Sequence, residues 1–107
     1  MSAGLINGNV FSLTVVDVSW TPSAVSTVTA PAQTVTVPGV KTTDWVFVSP
    51  PGQTAGVTIG SARVSADDTV SVQFVNPTAG SVTPAAGVHK FFVVRQEGLS
   101  GSPRVQV

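Results

Sequence analysis

His89 is the chain's one histidine, so a Ser-His-Asp system would have to use it. It opens an apolar run beside Lys90 with no motif around it. The nearest nucleophile, in Gly98-Leu99-Ser100-Gly101, lacks the strand–elbow–helix setting of a G-x-S-x-G serine. His89 therefore reads as a half-exposed strand residue, with a pH-sensitive contact as the alternative. Asp67-Asp68 is the carboxylate pair closest in sequence, and Asp44 is a candidate spatial neighbour. Paired carboxylates can hold Ca²⁺ or exchange protons. Ca²⁺ loops, however, offer three or more oxygen side chains at alternating positions, and here Ala66 and Thr69 flank the pair. The expectation is a hairpin turn in which Asp tolerates the left-handed region and bonds its own backbone. Arg63, on the strand leading in, is expected to pair with one carboxylate at little net energy.

Trp20 and Trp45 are the remaining candidates, as a stacking platform for sugars or bases. In Trp45-Val46-Phe47-Val48 alternation puts Trp45 and Phe47 on one face and Val46 and Val48 on the other. Two apolar faces favour a core or subunit contact. Trp20-Thr21-Pro22 divides evenly between core and interface. There is no Gly-rich phosphate loop, Cys/His cluster or dinucleotide fingerprint, so no cofactor or metal is expected. The residues speak against an enzyme.

The elements that must carry these side chains are strands. The chain has 107 residues, one domain's worth, 42% apolar but only 9% charged against about 25% in ordinary soluble domains. Such a neutral surface, rich in Ser, Thr and Ala, suits a protein that spends its life covered by partners. Five basic and five acidic residues are spread along the chain without a basic stripe, which speaks against nucleic-acid binding. Absent cysteine excludes disulfides and thiolate metal sites. No apolar run approaches the ~18 residues a membrane helix needs, and Met1–Phe11 lacks the charge and apolar core of a secretory leader.

Pro or Gly interrupts nearly every window long enough for a helix. Strand candidates recur instead at Val10–Val18, Ala24–Ala30, Thr34–Val37, Trp45–Val48, Val57–Val64, Thr69–Val75 and His89–Arg95, with Arg104–Val107 as an eighth. Pro38-Gly39 suits a type II turn, and Asp67-Asp68 closes a hairpin over 57–75. Seven or eight short strands imply an all-β antiparallel sandwich, jelly roll or small barrel. Residues 1–23 read as an N-terminal arm or first strand, 24–97 as the β-domain and 98–107 as a tail. Phe91-Phe92-Val93-Val94 is apolar on both faces and demands a second partner.

From Gln33 to Arg95 the chain resembles a small β-domain of tailed-bacteriophage structural proteins. The resemblance rests on Thr34-Val35-Thr36-Val37-Pro38-Gly39-Val40, on Asp44 with Trp45–Val48 and Pro50-Pro51, and on Ala62 to Thr69. It continues through Asn76-Pro77-Thr78-Ala79-Gly80, Thr83-Pro84-Ala85-Ala86-Gly87 and the last strand. It implies a jelly-roll-like sandwich, commonly a homotrimer, without catalytic residues. It also implies a virion location on the capsid exterior after assembly in the host cytoplasm, with the phage major capsid protein as partner. Among the family's roles, a domain without a long shaft suits capsid decoration (cement) better than a fibre. The alternative is a tail-fibre or appendage domain that binds a host receptor or glycan. Capsid or subunit contacts are expected at Leu5, Ile6, Phe11, Trp20, Phe91 and Phe92. Deleting residues 1–12 is expected to leave a folded protein that no longer decorates particles.

Overall fold

The computed structural model describes residues 10–28 and 30–96. Six strands form among them: β1 (Val10–Trp20), β2 (Gln33–Thr36), β3 (Trp45–Ser49), β4 (Thr58–Ala66), β5 (Thr69–Val75) and β6 (Gly87–Gln96). They make two antiparallel three-stranded sheets, ordered β1-β6-β3 and β2-β5-β4, packed as a β-sandwich. The pairing is nested: first strand with last, second with fifth.

Alternation decides which side chains lie between the sheets, because successive residues of a strand face opposite ways. Val16, Val18 and Trp20 of β1, Phe91 and Val93 of β6, and Val46 and Val48 of β3 face inward from one sheet. Val35, Val64, Val70, Val72 and Phe74 meet them from the other. Valine predominates in this core, consistent with the fit of β-branched side chains to a pleated surface.

One expected strand does not form. Ala24–Ala30 has strand composition, yet its described residues make only an isolated bridge, between Val25 and Val82. The Asn76 side-chain amide donates to the Val25 carbonyl at 2.9 Å, so this segment is bonded to loops rather than to a ladder. The described residues thus hold six strands rather than seven or eight; Arg104–Val107 lies outside them.

The expected hairpin over 57–75 is present, with Asp68 in the left-handed region at φ 64°. Its hydrogen bonds differ from the expectation. Asp68 Oδ1 accepts from the Gly39 amide at 2.7 Å, and the Asp68 amide donates to the Val40 carbonyl at 2.9 Å. The hairpin tip therefore clasps the Pro38-Gly39 turn, where Gly39 takes the φ of 93° that a type II turn requires at its third position. Asp67 pairs with Lys41 at 3.7 Å, and Arg63 has no ion pair among the described residues.

Candidate functional site: an apolar outer sheet face

The outer faces of the two sheets have opposite character. On the β2-β5-β4 sheet the outward residues are Thr34, Thr36, Ser61, Arg63, Thr69, Ser71 and Gln73, with Val75 as an exposed apolar side chain at the end of β5, a mainly polar surface. On the β1-β6-β3 sheet the register builds apolar rows. Leu13, Val94 and Trp45 stand side by side, and the next row is Val15, Phe92 and Phe47. Trp45 is 61% exposed and Phe47 58%, while the Phe47 and Phe92 rings lie 6.3 Å apart. The third row is polar: Asp17, Lys90 and Ser49, with Lys90 Nζ 3.2 Å from Asp17 Oδ1. The face is therefore apolar at the end where β1 begins and β6 finishes, and electrically neutral at the other.

Taking about 150–250 Å² for an aromatic side chain, the five exposed residues Leu13, Val15, Trp45, Phe47 and Phe92 present on the order of 500 Å². That lies within the ~300–600 Å² usual for a monomer's largest patch, which is often a functional surface. Rings and β-branched side chains on paired strands are held at fixed spacing, so the surface is already shaped for a partner.

The face is positioned by an ion pair at its edge. Asp44, just before β3, is buried and accepts from Arg95 Nε at 2.9 Å and Arg95 Nη2 at 2.8 Å. It also accepts the Lys41 amide at 2.9 Å, and Arg95 Nη2 reaches the Gly39 carbonyl at 2.8 Å. The hydrogen-bonded guanidinium holds the Asp44 carboxyl below its ordinary 3.8, overcoming burial, which pushes the other way. Because Arg95 is on β6 and Asp44 leads into β3, the pair ties both aromatic-bearing strands to the turn cluster behind them. Sequence offered no signal for this contact, since 51 positions separate its partners.

The residues expected at an interface fall in different places. Phe92 is on the outer face, whereas Phe91 is fully buried in the core. Trp20 is half-buried and turned inward, its ring 5.9 Å from Phe74 and 5.0 Å from His89. Leu5 and Ile6 lie outside the described residues, and only the backbone of Phe11 is described. Trp20 and Trp45 thus occupy opposite sides of their sheet and form no joint platform. Leu13 and Val15 belong to the face although sequence did not single them out as contacts, whereas Trp45 and Phe47 share the strand face that sequence read as core or subunit contact. The two-sided apolar pattern was visible, but not which side was covered.

His89 corrects an expectation. It is fully buried rather than half-exposed, because it shares the inward parity of Phe91 and Val93. Asp67 and Asp68 face solvent at the hairpin tip. Among the described residues no three His, Cys, Asp or Glu side chains come together as a metal site would require.

No protein-family model matches this chain, and neither a curated protein nor a solved structure is found similar to it.

Proposed function

We propose that the chain is a virion structural protein that decorates a capsid, bridging major capsid protein subunits through the outer face of the β1-β6-β3 sheet. The observation that carries this reading is the asymmetry of the sandwich: one outer face wetted, the other presenting Leu13, Val15, Trp45, Phe47 and Phe92. The phage-like series from Gln33 to Arg95 supplies the partner class. The nested strand pairing supports the jelly-roll-like form that the resemblance implies, a jelly roll shortened to six strands.

Energetics favour bridging over a single contact. Covering ~500 Å² of apolar surface at about 25 cal/mol per Å² is worth roughly 12 kcal/mol before costs. Association costs about 4–15 kcal/mol, so one face alone gives a weak grip. A homotrimer that presents three faces converts weak contacts into firm attachment, provided the geometry matches. The β1 edge supports self-association: it is eleven residues long, unpaired on its outer side among the described residues, and carries neither Pro nor Lys.

Val10 pairs with Gln96, so the chain enters β1 at the apolar end of the face. Leu5 and Ile6 precede this point in sequence and are tested as part of the proposed grip. Because Ser12 pairs with Arg95 inside the sheet, removing residues 1–9 is a cleaner test than removing 1–12. Purified protein should pellet with undecorated capsids of its phage, and the 1–9 deletion should pellet less. Wild-type protein that stays in the supernatant contradicts capsid decoration.

A second reading is favoured by one feature, the exposed indole of Trp45 beside Phe47. Aromatic faces of this kind also hold sugars, which would suit an appendage domain that binds a host glycan. Glycan-array binding abolished by Trp45→Ala would select that reading.

A further inference from the structure

The open edges of the sandwich differ in how they are guarded. An edge strand presents unpaired backbone N–H and C=O groups, and folded proteins blunt it with shortness, bulges, proline or charge. β2 has four residues, and β3 has five and runs into Pro50-Pro51. β4 carries Arg63 and shifts register twice, between Ile59 and Ser61 and between Val64 and Ala66. β1 has none of these guards. It pairs with β6 without a break from Ser12 to Trp20, roughly 30 Å of strand, and has no neighbour on its other side among the described residues. Its one charge, Asp17, is already paired with Lys90.

The edge is also open above and below. β3 and β4 touch at one side of the sandwich, so β1 and β2 share the other, and β2 is too short to cover the inner side of β1. Thr14 shows the result. Its side chain has the inward parity of Val16 and Val18, yet it is exposed, as are Leu13 and Val15 on the outer face.

We propose that the β1 edge pairs with β1 of a second copy of this chain, antiparallel and centred on Thr14. A two-fold axis perpendicular to the sheet keeps both apolar faces on one side. Leu13 of each copy then stands opposite Val15 of the other, and Thr14 meets Thr14, both favourable cross-strand pairs. Centring on Val15 or Val16 would set Leu13 or Val15 against the Asp17 carboxylate. Centring on Leu13 would confine the regular paired stretch to Ser12–Thr14, because the register shift lies just before it. The product is a six-stranded sheet, β3-β6-β1-β1-β6-β3, whose two apolar faces merge into about 1,000 Å². The contact is isologous and closes at two chains: alone it gives a dimer, and joined to a three-fold contact it gives a hexamer. It stands on the edge itself and does not depend on what the merged face covers.

Sedimentation equilibrium of the full chain up to ~1 mM, the weak end of specific association, should show two chains per particle, or six. Leu13→Lys sets a charge against Val15 of the other copy and should weaken pairing at least about tenfold. Leu13→Lys/Val15→Glu brings opposite charges together twice across the axis and should restore it. Trp45→Ser/Phe47→Ser lies on β3, the far strand of the sheet, and should leave pairing unchanged while abolishing capsid attachment, so self-pairing and decoration fail independently. Because the chain has no cysteine, Thr14→Cys reads the register directly. At the axis it meets its own copy with Cα atoms about 4.5–5.5 Å apart, within disulfide reach. Mild oxidation should link two chains at least about tenfold faster than it does for Ser19→Cys, which is exposed on the same strand but away from the axis. Monomers or trimers alone, equal cross-linking of the two cysteine variants, or loss of pairing in folded Trp45→Ser/Phe47→Ser overturns the proposal. Monomers that pair only once residues 97–107 are removed would assign the edge to the chain's own tail and overturn it as well.

Discussion

Removing the Asp44 carboxylate tests how the aromatic strands are held. Asp44→Ala deletes two charge-assisted hydrogen bonds from Arg95 and one from the Lys41 amide. Breaking a fully buried ion pair costs about 3–5 kcal/mol. Arg95 is one-third exposed, however, and keeps the Gly39 carbonyl, so water partly satisfies it in the variant. The cost is therefore set lower, at roughly 2–3 kcal/mol. With an m-value of about 1–3 kcal/mol per molar urea, the midpoint falls by roughly 0.7–3 M. Urea unfolding followed through Trp20, whose half-buried ring packs on Phe74, reads this directly. A double-mutant cycle with Arg95→Ala should return a coupling of about 1–2 kcal/mol. Asp17→Ala, which breaks the exposed pair with Lys90, should cost under about 0.5 kcal/mol. A loss below ~0.5 kcal/mol for Asp44→Ala, or no coupling to Arg95, refutes the reasoning.

The same pair sets an acid limb. Arg95 lowers the folded carboxyl below 3.8, so its contribution is complete above that value and is lost as pH falls through the folded pKa beneath it. Asp44→Asn should therefore flatten stability against pH below about 4, compared with wild type.

Neighbouring rings on β6 should behave oppositely: Phe91→Ala should cost about 3–5 kcal/mol, whereas Phe92→Ala should cost under ~1 kcal/mol in the isolated protein. Calorimetric melting of both variants checks this. Asn76→Ala should cost about 2–3 kcal/mol, because the buried amide donates to Val25 and Gly80 and its oxygen accepts from the Thr78 amide and hydroxyl. Val28 sits exposed at φ 70°, a region that strains a β-branched residue by about 1–3 kcal/mol, so Val28→Gly should raise the melting temperature.

Period-two alternation made the sandwich legible: β5 spans Thr69–Val75, the run expected from sequence, and the Asp67-Asp68 turn lies between β4 and β5. Ala24–Ala30 was misleading because β-branched composition says nothing about whether a neighbouring edge is free, and Asn76 captured its carbonyl first. The burial of His89 was recoverable, since it stands two and four residues from the inward Phe91 and Val93. A lone histidine beside a lysine outweighed that parity. The apolar face was half legible. Phe91–Val94 and Trp45–Val48 each showed two apolar sides, but the choice of inner side depends on which sheet packs behind them. Likewise, the Asp44–Arg95 tie is a product of topology, joining residues that meet only once β3 pairs with β6.

The central claim is that this molecule works by assembly through the outer face of its β1-β6-β3 sheet. Under the proposed capsid-decorating role, its most direct test is co-sedimentation with undecorated tailed-phage capsids, comparing wild type with Trp45→Ser/Phe47→Ser. Both side chains are mostly exposed, so the double variant should stay folded, losing only about 1–2 kcal/mol of stability with the Phe47–Phe92 contact. The account predicts that wild type pellets with the particles and the folded variant stays in the supernatant. Equal pelleting of the two proteins, or failure of the wild type to pellet at all, would contradict it.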